Sequence, residues 1–92
     1  MKVFKYKFNP TAHVSIMLPR GAQILSVQFQ CGEFCLWALV DPDAQMELRN
    51  FLFAGTGEEL FEAPENLQFI ETLQMEHRSL LRHFFEITIK GK

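Results

Sequence analysis

Between Ile24 and Asp41 the chain reads ILSVQFQCGEFCLWALVD, two apolar runs around a polar break at Cys31-Gly32-Glu33. The spacing predicts a β-hairpin whose second strand is apolar on both faces, with Cys35, Trp37 and Leu39 pointing one way and Phe34, Leu36, Ala38 and Val40 the other. A strand without a polar face needs cover on both sides, which puts it in the middle of the fold. In the first strand of the hairpin, Leu25, Val27 and Phe29 are expected inside and Ser26, Gln28 and Gln30 outside.

The rest of the chain alternates in the same way. Lys2 to Phe8 predicts a strand with Phe4, Tyr6 and Phe8 inside and Val3, Lys5 and Lys7 outside; His13 to Leu18 predicts another with Val14, Ile16 and Leu18 inside. Asn9-Pro10 and Pro19-Arg20-Gly21 supply turns, since proline fixes φ and glycine and asparagine tolerate turn geometry. Asp41-Pro42-Asp43 ends the central strand, and a fifth strand follows from Met46 to Ala54 with both faces mixed. After Gly55-Thr56-Gly57 comes an irregular stretch to Asn66, in which residues 58–62 are expected to make a short helical turn capped by Thr56. Leu67 to Met75 and Leu80 to Ile89 complete the set, joined by a turn at Glu76 to Ser79; on the last strand Leu81, His83, Phe85, Ile87 and Ile89 share a face. About seven short strands predict a single all-β domain over residues 1–92, an antiparallel meander forming a small barrel or a compact two-layer sandwich.

Ninety-two residues leave little core, and ten phenylalanines help to fill it. No apolar run approaches the ~20 residues of a membrane helix, and MKVFKYKFNP lacks the apolar centre of a signal peptide. Two cysteines without an export signal do not make a disulfide framework, so the expectation is a soluble protein of a reducing compartment, with no membrane partner. Charge is unevenly placed: residues 41–76 hold nine of the eleven acids against one base, Arg49. Such asymmetry marks either a partner surface or ordinary solvated charge.

Candidate chemistry is sparse. Cys31 and Cys35 lack partner ligands at metal spacing, so no metal and no cofactor is expected. His83 reads either as a general base in an apolar pocket or as a core histidine with both nitrogens satisfied; no carboxylate shares its face, and the second is favoured. Gly55, Thr56 and Gly57 are either a phosphate cradle or a turn with positive φ, and the acids that follow favour the turn. Lys2 to Phe8 interleaves bases and aromatics, but alternation sends them to opposite faces, which argues against a nucleic-acid platform; the lysines read as guards of an edge strand. The acidic segment with Glu58, Glu59, Leu60, Phe61, Glu62 and Glu65 is either a protein-docking loop or a solvated loop whose apolar pair plugs the fold. No catalytic constellation emerges, and the expectation is a protein that is not an enzyme.

The run Leu18-Pro19, Gly21-Ala22, Ile24-Leu25-Ser26-Val27-Gln28 and Leu36-Trp37-Ala38-Leu39-Val40-Asp41, with Gly55-Thr56-Gly57 and the closing His83-Phe84-Phe85-Glu86, resembles a family of small uncharacterised proteins from bacteriophages and prophages. The resemblance spans nearly the whole chain and implies a phage-encoded accessory protein in the cytoplasm of a bacterial host. It brings no reaction and no binding residues. Three functions follow as expectations. The first is an inhibitor of host defence, of the anti-CRISPR kind, that binds a host protein through residues 58–65. The second is a homo-oligomer sequestering a nucleotide-like molecule, with Gly55, Thr56, Gly57, Trp37 and His83 as its site. The third is a nucleic-acid-binding barrel, disfavoured by a pI of 5.9.

Overall fold

The computed structural model describes residues 1–74 and 81–88. It contains β1 (Lys2–Phe8), β2 (His13–Pro19), β3 (Gln23–Gln30), β4 (Glu33–Val40), β5 (Met46–Gly55), a 3-10 turn (Pro64–Asn66), β6 (Leu67–Gln74) and β7 (Leu81–Ile87). The strands form two antiparallel sheets, a three-stranded one ordered β1-β4-β3 and a four-stranded one ordered β2-β5-β7-β6. The result is a two-layer sandwich rather than a closed barrel. Sequence neighbours pair directly only in β3–β4 and β6–β7; β1 and β2 each pair with a strand further along the chain, so the path is not a simple meander. The expected strand positions at Met75, Leu80 and Ile89, and the turn at Glu76 to Ser79, lie outside the described residues.

The core lies between the sheets. β4 supplies Phe34, Leu36, Ala38 and Val40; Val14, Ile16, Leu18, Phe51, Phe53 and Phe84 meet them from the other sheet. Six phenylalanines interlock there: Phe84 stacks on Phe51 at 5.1 Å between centroids, Phe53 meets both Phe34 and Phe84 edge-on, and Phe29 packs on Phe34 at 4.7 Å. Phe8 joins the cluster against Phe84 at 5.4 Å. Edge-to-face and offset contacts satisfy the ring quadrupoles, which lets a small core be built largely from aromatics.

Three expectations change. β4 is central in its sheet, but its second face has no layer over it: Cys35 is buried, whereas Trp37 and Leu39 are half-buried beside Lys5, whose ammonium lies 5.9 Å from the Trp37 ring. Lys5 of the flanking β1 lies over that face at Trp37 instead. On β3 the pairing shifts between Ile24 and Ser26, so Ile24 packs against the core and Leu25 is 47% exposed. A β-bulge inserts one unpaired residue and reverses the side-chain phase beyond it. On β1, Tyr6 and Phe8 approach the core, but Phe4 remains 38% exposed at the outer edge of the sheet.

The helical turn also lies elsewhere. Residues 58–62 are irregular, and the 3-10 turn begins at Pro64, whose fixed φ suits a first helical position. The hairpin turn at Cys31-Gly32 has both residues at positive φ, +52° and +79°, which is the type I′ geometry that matches strand twist.

Candidate functional site

The four-stranded sheet leaves most of its outer face open to solvent, and the segment that follows Gly55 lies over one end of it, where Leu52 and Ala54 are buried. Gly55-Thr56-Gly57-Glu58 is a turn closed by the Glu58 N–H donating to the Gly55 carbonyl at 3.2 Å, with Gly57 at φ +89°. That φ explains the glycine, since residues with a Cβ rarely adopt it. The turn is poorly suited to a phosphate: its closing N–H is already used, and the Glu58 carboxylate folds back over Gly55, 3.2 Å from where a Cβ would stand. An anion would meet a carboxylate there.

Thr56 is held in another way. Its hydroxyl lies 2.8 Å from His83 Nε2, and the Thr72 hydroxyl lies 3.0 Å from Nδ1. His83 pairs with Ala54 on β5 and with Thr72 on β6, which sets it on the outer face, while Phe84 and Glu86 turn inward. The expectation of a core histidine is corrected in place but kept in chemistry. The ring lies outside the core, and both nitrogens have partners. Thr56 therefore engages His83 rather than capping a helix. A hydroxyl on each nitrogen holds the ring in orientation, and the arrangement ties the root of the acidic segment to the sheet.

Beyond that root, Glu58 and Glu59 are exposed, Leu60 and Glu62 are half-buried, and Phe61 is 87% exposed. A shallow groove of about 250 Å³ runs between residues 58–62 and Ala12, His13, Leu52 and Ala54, so the segment lies along one end of the outer face. Glu65, in the 3-10 turn, is exposed. The structure thus brings Gly55, Thr56, Gly57 and His83 together at the start of the acidic segment. Trp37 belongs to the other sheet and does not join them.

A second feature lies inside the sandwich. Arg49 of β5 grips Glu86 of β7 with two nitrogens, Nε to Oε2 and Nη2 to Oε1 at 3.0 Å, and its Nη1 donates to the Ala22 carbonyl at 2.8 Å. The bond to Glu86 raises the guanidinium pKa above its ordinary value, so the cation is permanent. A cleft of about 420 Å³, lined by Gly21 to Leu25 and Gln68 to Ile70, opens beside this pair. With all three guanidinium nitrogens bonded within the protein, Arg49 is a structural cation and not an anion receptor. Sequence reading missed this pair and also missed Thr72. Arg49 was legible only as the lone base of an acidic stretch, and Thr72 carried no signal until the register placed it beside His83.

Among the described residues, no group of three or more His, Cys, Asp or Glu is placed to hold a metal ion, and no helix is long and apolar enough to cross a membrane. Cys31 is exposed and Cys35 buried, both as free thiols. Residues 1–91 match a family model described as a domain of unknown function, DUF7352. No curated protein matches the chain, and no solved structure matches it.

Proposed function

We propose that this chain, which belongs to the DUF7352 family, is a binding protein rather than an enzyme, and that it docks a host protein through its acidic segment. The observation that carries this reading is Phe61, 87% exposed on an irregular segment that also carries Glu58, Glu59 and Glu62. A phenylalanine held in water forgoes roughly 1.5–3 kcal/mol that a partner pocket would return. The surrounding carboxylates steer association towards a basic surface and reject acidic ones. The partner's chemistry is therefore an apolar pocket rimmed by lysine or arginine. The tie from His83 to Thr56 and Thr72 supports the same reading, because a segment whose root is fixed loses less freedom on binding.

The cellular setting rests on the resemblance of residues 18–41, 55–57 and 83–86 to phage and prophage proteins: a small accessory protein in the bacterial cytoplasm, an antagonist of host defence of the anti-CRISPR kind. The sequestration alternative has less support, since Trp37 is set on the other sheet from Gly55, Thr56, Gly57 and His83.

Pull-down from bacterial host lysate with the wild type, Phe61→Ser and a Glu58→Lys/Glu59→Lys double variant tests the reading. A host protein retained by the wild type and lost by both variants is expected, with capture falling as salt rises. Equal retention by all three proteins, or retention of none, would count against it.

A further inference from the structure

We infer that the outer face of the four-stranded sheet is a self-association surface that pairs with the same face of a second copy of this chain. The inference stands apart from the docking role of residues 58–65.

The first observation is an inverted distribution of charge. The strands of this sheet carry five charged residues, Glu47, Arg49, Glu71, Arg82 and Glu86. Cross-strand pairing puts every one of them on the side turned towards the other sheet: Glu47 opposite Leu18, Arg49 opposite Ile16, Glu71 opposite Phe84, Arg82 opposite Gly55 and Glu86 opposite Phe51. Among the described residues the outward strand positions therefore hold no Asp, Glu, Lys or Arg, and the acidic segment lies only on the end of the face at Leu52 and Ala54, which are buried. They do hold large apolar side chains that meet water: Leu48 at 57% exposure and Phe69 at 56%, with Met17, Met46 and Leu81 also exposed. A solvated sheet face normally carries the charge and hides the apolar residues. Here the order is reversed.

The second observation concerns the polar residues on the same face, which bond to one another. Ser15 Oγ donates to Asn50 Oδ1 at 2.7 Å, and the His83 ring is held between Thr56 and Thr72. Groups satisfied in this way lose little when water leaves.

A second copy is the occupant that fits. The open part of the face, uncharged among the described residues, is self-complementary, because two-fold pairing brings no like charges together there. A two-fold axis lying across the strands also sends the two acidic segments to opposite ends of the interface. Four strands of about seven residues span roughly 450 Å² in plan. Side-chain relief adds to that figure and the acidic segment takes one end of it, against roughly 600 Å² per partner at the lower end of specific interfaces. The outer face of the three-stranded sheet is unlike it, since Lys5 and Lys7 stand there beside Trp37 and Cys35.

Light scattering over a concentration series, with the wild type, Leu48→Lys, Phe69→Lys and Val3→Lys, tests the inference. The wild type is expected at twice the 10.7 kDa chain mass. Leu48→Lys and Phe69→Lys should weaken association by roughly a hundredfold or more, because each interface then buries two unpaired ammoniums. Val3→Lys, on the other sheet, should leave it intact. A wild type that stays monomeric at its highest soluble concentration overturns the inference, as does a dimer broken by Val3→Lys and not by the other two. Should a lysine variant fail to fold, peroxide oxidation of the wild type decides instead. Met17 and Met46 should oxidise more slowly as concentration rises while Met1 does not change; equal rates at all concentrations overturn the proposal. None of these changes touches residues 58–65, so loss of self-association and loss of host-protein capture are read separately.

Discussion

Arg49 and Glu86 form a two-pronged ion pair across β5 and β7, within a sandwich otherwise packed with phenylalanine. Buried pairs of this kind cost desolvation energy, and removing one partner leaves the other charge stranded. Arg49→Met is therefore expected to destabilise the fold by roughly 3–5 kcal/mol. The double change Arg49→Met/Glu86→Leu should recover most of that loss. Urea unfolding of the two variants beside the wild type checks it; a double variant no more stable than the single one would show that the pair does more than neutralise itself.

Glu71 closes the seam between the sheets. Its carboxylate accepts from the Val27 N–H at 2.9 Å, an edge donor of β3 that no strand pairs. Glu71→Ala strands that donor beside a fully buried side chain and should cost about 1–3 kcal/mol. Amide exchange at Val27 should quicken more than exchange at β4 positions. Uniform acceleration would mean that the seam is held by packing alone.

Tyr6 is the one tyrosine of the chain, and burial pushes its phenol above the ordinary 10.0. A folded pKa raised above the unfolded value means that the neutral phenol contributes stability below pH 10, and that this contribution is lost as pH climbs through the folded value. Absorbance at the phenolate band should titrate later in native protein than in urea, and Tyr6→Phe should blunt part of the alkaline loss of stability. Coincident titrations would place the phenol in water.

His83 anchors the root of the acidic segment through Thr56. His83→Ala should leave the thermal midpoint within a few degrees of the wild type, since the ring lies outside the core. Cleavage by a glutamate-specific protease at residues 58–62 should nonetheless rise several-fold. An unchanged cleavage rate would mean that the segment is held by Leu60 and not by the histidine.

Strand existence was legible because period-two alternation is a local signal, and β1 to β5 fall within a residue or two of where it puts them. Pairing was not legible, since β1 with β4 and β2 with β5 join residues far apart in the chain and no turn chemistry specifies them. Leu25 shows the cost of a purely local reading: one bulge exchanged it with Ile24, and nothing in the composition marks a bulge. The site was legible in part. Glu58, Glu59 and Phe61 stood out by composition and are exposed, whereas Leu60 and Glu62 are half-buried. The face of His83 was grouped correctly with Leu81, Phe85 and Ile87, yet that apolar row points outward. Alternation tells which residues share a side, and only the opposing sheet decides which side is in.

The bulges at Leu25 and Ile70 fall on β3 and β6, the two strands whose edges meet at the Glu71 seam. Each bends its strand and breaks the regular comb of donors and acceptors along it. An extended chain from another molecule finds no straight template on that side. Fibril growth by strand addition is thereby confined to the opposite flank, where β1 and β2 end their sheets, and the burden of keeping the protein in solution falls there on Lys2, Lys5 and Lys7.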